Sequence, residues 1–133
     1  MFRIKYSREI VLKILYQLDA LKCDAVESGP VIEEYFKSFR SVNPAEEEFI
    51  RRLVQTVMEQ KPEIDAAISK NLIGWKLNRL ALIDRNLLRM GMAEATFNSE
   101  KPIIIDDLLR IAKKYSDADS YKLINAILDK VIT

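Results

Sequence analysis

GWKLNRLALIDRNLLRMGMAEATF, residues 74–97, is the one stretch that reads as a long helix with apolar residues on more than one side. Leu80, Ile83, Leu87, Gly91 and Ala95 follow helical spacing, while Leu82, Leu88, Met90 and Met92 add a second apolar surface. A surface helix hides one stripe, whereas a helix apolar on several sides packs on several neighbours, so the spacing predicts a central helix from Gly74 to Phe97. Gly91 costs such a helix about 1 kcal/mol relative to alanine, which favours a role in letting another backbone approach closely. The polar residues cluster, with Asn78 and Arg79 at the start and Asp84, Arg85, Asn86 and Arg89 further on. Such residues most often form a solvated strip on a core helix; the alternative is a face turned toward a partner.

Outward from that helix the chain reads as shorter, one-faced helices. Before it, Ile4, Val11, Ile14, Leu15, Leu18 and Leu21 trace one face of an amphipathic helix from Arg3 to about Leu21. Its basic residues Arg3, Lys5 and Arg8 can grip phosphates, with Tyr6 or Tyr16 offering a ring for a base, although basic residues on a helix are more often solvated and Tyr16 more often core. The polar segment Cys23 to Gly29 reads as a loop, and Pro30 opens a second helix that buries Val31, Ile32, Tyr35, Phe36 and Phe39. Asn43 and Pro44 fit the cap and first position of a third helix, with Glu46 to Glu48 suiting its positive end. Pro62 ends that helix and starts a fourth, which stops at Gly74.

After the central helix, Asn98 to Pro102 forms a turn. Ile105, Leu108, Leu109 and Ala112 make a sixth helix, and Ser116 to Asp119 caps a seventh that buries Tyr121, Ile124, Ile127, Leu128 and Val131. The β-branched run Ile103 to Ile105 has no partner strand, so it reads as helix. The expectation is an all-α protein of seven helices in two small lobes, about residues 1–60 and 61–133, divided near Gln60 to Pro62.

The totals exclude several function classes. With 133 residues the chain fits one domain. No apolar run approaches a bilayer span, and the start MFRIKYSRE lacks the apolar core of a signal peptide, which points to the cytoplasm and away from membranes. The single Cys23 cannot make an internal disulfide, and a chain without histidine lacks the usual zinc and iron ligands and the commonest general base. Gly29, Gly74 and Gly91 stand alone, so no phosphate-cradling loop is present. The expectation is no catalysis, no cofactor and no metal. A net charge of +1 with 31% charged residues means that any nucleic-acid footprint is a local patch.

The end of the chain, DADSYKLINAILDKV from Asp117, preceded by IDDLLRIAKKY, resembles the C-terminal pattern of the NusB family of bacterial transcription antitermination factors, I-x-E-A-x-E-L-A-K-x-[FY]-x-x-x-x-S-x-K-F-V-N-G-[IV]-L-D. Ile105, Ala112, Lys113, Tyr115, Ser120, Lys122, Asn125, Ile127, Leu128 and Asp129 fall on it in register. The central stretch is similar to that family's W-x-x-x-R-L-x-x-[IV]-[DE]-R-x-[IL]-L-R through Trp75, Arg79, Leu80, Ile83, Asp84, Arg85, Leu87, Leu88 and Arg89. Near the start, Arg8, Glu9, Leu12, Leu15, Tyr16 and Gln17 fit A-R-E-x-A-L-x-x-L-Y-Q.

The resemblance implies a NusB-like bundle that binds the boxA element of nascent RNA with ribosomal protein NusE, inside a complex that keeps RNA polymerase from terminating. It also implies that RNA is gripped by the basic first helix and the opening of the last: Arg3, Lys5, Arg8 and Tyr16, joined by Asp119, Tyr121, Lys122 and Leu123. By the same resemblance Asp84, Arg85 and Arg89 face NusE or its border with RNA. Phe2, Ile4, Tyr6 and Ser7 stand where the family carries a denser arginine cluster, Leu123 where it carries phenylalanine, and Ala126 where it carries glycine, so intrinsic RNA affinity is expected to be lower. Tyr121 is the ring expected to compensate for Leu123. Two other readings stay open, a protein-only scaffold and the RNA-recognition domain of an rRNA cytosine methyltransferase; a homodimer is compatible with all three. The 133-residue length disfavours the methyltransferase, because no cofactor-binding unit follows Thr133.

Overall fold

The computed structural model describes residues 4–38 and 43–132, apart from the side chains of Ile4 and Lys5. Arg3, Phe39 and residues 40–42 therefore lie outside the described residues. Helix α1, Ile4–Ala20, buries Val11, Ile14, Leu15 and Leu18 of the face that the spacing indicates, whereas Leu21, expected on that face, lies just past the helix end and is exposed. Asp24 and Glu27 then cap each other's backbone N–H groups, at 3.0 and 2.8 Å, and lead into α2, Ser28–Ser38, two residues before Pro30.

Helix α3 runs from Pro44 to Lys70. Asn43 caps it as expected, its side chain accepting the Glu46 N–H at 2.9 Å, with Pro44 in the first turn. Pro62 does not end it, which corrects the expected seven helices to six among the described residues. A proline inside a helix costs roughly 3 kcal/mol, because it cannot donate to the carbonyl four residues back and crowds it. Burial on both sides outweighs that cost: Val57 and Met58 precede the proline, Ile64 and Ile68 follow it, and each such side chain contributes roughly 1.5–3 kcal/mol. Gln60 to Pro62, the expected division between lobes, thus lie within α3.

The central helix is also shorter than the spacing indicates. Asn71 closes α3, Gly74 turns the chain at φ 78°, and Leu77–Arg79 makes a single 3-10 turn. Leu80 and Ala81 are extended, and α4 begins only at Leu82, ending at Ala95. Leu80 is buried all the same, because an extended residue placed before a helix can deliver its side chain to the same core as the helical position the spacing suggests.

Helix α4 is central by its packing, touching α1, α3, α5 and α6. A Cβ on Gly91 would lie 2.6 Å from Leu128 Cδ2 and 3.0 Å from Leu108 Cδ1 and Ile132 Cδ1. The groups closest to Gly91 are therefore the ends of side chains on the last two helices and not another backbone. Helix α5, Lys101–Tyr115, includes Ile103 to Ile105, and no strand occurs among the described residues. Helix α6, Ala118–Ile132, is capped by Asp117, which accepts the Ser120 N–H at 2.8 Å. Buried side chains from all six helices belong to one apolar cluster. No helix of the described residues is long and apolar enough to cross a membrane.

Candidate nucleic-acid interface

Arg8 faces inward. It is 2% exposed, and its guanidinium donates to both oxygens of Glu94, at 2.7 and 2.6 Å, and to Asp107 Oδ2 at 2.9 Å. Burial pulls its pKa down, but the Glu94 and Asp107 hydrogen bonds outweigh that and raise it above the ordinary arginine value. A guanidinium enclosed by two carboxylates has neither the free donors nor the access to hold a phosphate, which corrects the expectation that Arg8 grips RNA. Arg3 is outside the described residues, as is the side chain of Lys5.

The polar cluster of α4 is likewise mostly internal. Arg89, 4% exposed, forks onto Asp65 of α3 at 2.8 and 3.0 Å and reaches Asp19 of α1 at 3.1 Å. Asn86 and Lys61 hold Asp19 as well, each at 2.9 Å. Asp84 is buried and accepts the Ser116 hydroxyl. Asp84 and Arg89 thus tie helices together, correcting their expected place on a partner-facing surface. Arg85 is half-buried, and its enclosed Nε has no hydrogen-bond partner in the structure.

What remains on the surface forms a strip that starts on α1. Tyr16, 46% exposed, and Lys13 line a recess of about 230 Å³ with Leu12, Ile83 and Tyr115. Glu9 organises its far wall, accepting from Arg110 at 2.9 Å, Lys114 at 3.1 Å and the Tyr115 hydroxyl at 3.3 Å. Burial pushes the Glu9 pKa up, but the Arg110 and Lys114 hydrogen bonds hold it below the usual carboxylate value. Lys114 Nζ lies 5.3 Å from the Tyr115 ring centre, so an exposed cation sits beside an exposed ring. Lys13, Lys114 and Tyr115 belong to this surface although the sequence did not mark them as site candidates; for Lys13 the available signal was its place three residues from Tyr16, about one helical turn away on the surface.

The strip continues toward α6. Ile83 and Tyr115 line the first recess, and their chain neighbours Asp84 and Ser116 are joined by the hydrogen bond described above. Beyond that bond lies a second recess, of about 380 Å³, lined by Trp75, Arg79, Asp84, Asp117, Asp119 and Leu123 among others. Tyr16, Asp119 and Leu123 are therefore brought to neighbouring parts of one surface. Lys122 is exposed, three residues from Asp119 on the outer side of α6. Tyr121 lines neither recess: it is half-buried, with Lys113 Nζ 5.5 Å from its ring centre.

A family model described as the NusB family matches residues 5–133. The transcription antitermination protein NusB of Ruminiclostridium cellulolyticum is 35% identical over 94% of this chain and 85% of its own length. That of Pseudothermotoga lettingae is 35% identical over 98% of this chain and 91% of its own. Among solved structures, T. maritima NusB is similar with a TM-score of 0.84 and 31% identity, over 98% of this chain and 91% of that one. A chain from a crystal structure of antitermination factors NusB and NusE in complex with dsRNA has a TM-score of 0.79 and 30% identity, over 96% of this chain and 94% of that one.

Proposed function

The chain belongs to the NusB family, and from that premise we propose that it is a transcription antitermination factor, binding boxA-type single-stranded RNA jointly with NusE in the complex that keeps RNA polymerase from terminating. It does so by binding alone, without catalysis, in the cytoplasm where transcripts emerge. The observation that carries the RNA-binding part is the surface strip itself, where Tyr16 and Tyr115 alternate with Lys13 and Lys114 and lead to Lys122 at the start of α6. Rings that stack on any base, interleaved with cations that track phosphates, are what an unpaired strand requires.

Arg85, half-buried on α4 where Asp84 and Arg89 are buried, is the member of that polar group with surface left to meet a protein partner beside the RNA. A second reading, a scaffold with weak intrinsic RNA affinity, is favoured by the burial of Arg8, which removes one cation from the RNA surface. Titrating boxA-like and scrambled RNAs at two salt concentrations, with and without NusE, separates the two. If about four phosphates are neutralised, log affinity falls against log salt with a slope of roughly −3 and NusE tightens the boxA complex. A slope near zero, with no preference for boxA even beside NusE, rejects the RNA-binding reading.

A further inference from the structure

The second recess holds a ring with no role so far. Trp75 is 58% exposed, an unusual position for so large an apolar side chain, and it shares the recess with Arg79, Asp119 and Leu123. We propose that Trp75 is the stacking platform for one nucleobase of the single-stranded RNA, with Arg79 holding an adjoining phosphate, an inference that rests on the RNA-binding reading above.

Three observations fix the occupant. The recess sets Leu80 and Leu123 beside the indole together with the polar residues Arg79, Asp119 and Ser120, the mixture that receives the flat face of a base and the polar groups at its edge. Its carboxylates repel a phosphate, yet they accept hydrogen bonds from the amino groups of bases. Asp84 is buried and Asp117 caps the start of α6 through the Ser120 N–H, whereas Asp119 is exposed, so Asp119 is the carboxylate best placed to meet such an edge. Finally, α6 brings no ring into this recess: Leu123 is aliphatic, and Tyr121 does not line it. The ring for this end of the strip comes across the recess, from the joint between α3 and α4, where the Gly74 turn presents it.

Trp75 is the only tryptophan in the chain, so its emission reports this recess alone. The unmodified protein, with NusE present, is titrated with a boxA-like RNA while tryptophan emission and the anisotropy of end-labelled RNA are followed, using a tryptophan-free NusE. Emission falls with the same midpoint as the anisotropy rise, and the bound RNA shields Trp75 from iodide. Trp75→Leu weakens RNA binding about tenfold with an unchanged circular dichroism spectrum, and Trp75→Tyr recovers most of the loss. Anisotropy that rises while emission and iodide access stay constant overturns the proposal and leaves the function standing. So does a Trp75→Leu variant that binds as tightly as the parent, or emission that responds to NusE alone and not to RNA. An anisotropy that never rises removes the RNA-binding reading, and this proposal with it.

Discussion

Arg8 and Glu94, 86 positions apart in sequence, meet in the interior as a two-bond fork that joins α1 to α4, and Asp107 extends the contact to α5. Three helices therefore share one buried charge cluster. Removing one member of such a cluster strands the others in a poorly solvated place, which typically costs about 3–5 kcal/mol. Arg8→Ala is expected to lower the stability of the fold by that order and the melting temperature by on the order of 10 °C. Thermal and urea denaturation measure it. A variant with parental stability and a selective loss of RNA affinity would contradict the interior role.

Much of the fold was legible because apolar spacing and helix caps are local signals. Asn43 with Pro44, and the buried faces of α1, α5 and α6, follow from neighbours a few residues away. The site was less legible because a charged residue looks alike in sequence whether it meets water or another helix. Arg8, Asp84 and Arg89 read as surface groups, yet their partners Glu94, Ser116 and Asp65 lie far along the chain and no periodicity announces them. The recess at Trp75 was hidden for a related reason. It is assembled from the α3–α4 joint and the start of α6, and its shape depends on the extended residues before Leu82, where helical spacing continues but the helix does not.

Pro62 gives the clearest conflict between a local signal and the packed structure. It lies exposed within α3, where the ring supplies no core contact to offset its cost. Pro62→Ala restores an N–H donor to the helix and is expected to stabilise the protein by about 1–3 kcal/mol, the upper limit being the full helix-interior penalty of proline. The midpoint of urea unfolding rises accordingly. An unchanged or lower midpoint would mean that the helix is bent at this point in a way that Ile64 and Ile68 need for their burial.

Acid should weaken the helix contacts through Glu9 and Asp19. Burial raises the pKa of both carboxyls, but hydrogen bonds from Arg110 and Lys114 to Glu9, and from Lys61 and Asn86 to Asp19, lower them further than burial raises them. Their folded pKa values are therefore depressed, so the unfolded chain binds more protons in acid. The stability they contribute is present above the ordinary carboxylate pKa, roughly pH 4, and is lost as pH falls through the depressed values. Unfolding midpoints measured between neutral pH and about pH 3 should decline, and Glu9→Gln and Asp19→Asn should each flatten part of that decline while lowering stability at neutral pH. Parallel pH curves for parent and variants would show that these pairs carry no such linkage.

Lys13 and Lys122 test how far the RNA surface extends, since Lys13 lines the first recess and Lys122 lies beside the second. A lysine that holds a phosphate contributes the same to every sequence, so its loss weakens boxA-like and scrambled RNA alike and reduces the salt slope by about 0.7. Lys13→Ala and Lys122→Ala are each expected to do this, and the double variant by roughly 1.4 if the two phosphates are distinct. Lys37→Ala, on α2 and in neither recess, serves as the comparison and should leave the slope unchanged. The additive change matters most: one strand crossing both recesses must meet both lysines. A double variant that behaves like either single one would confine the RNA to one end of the strip.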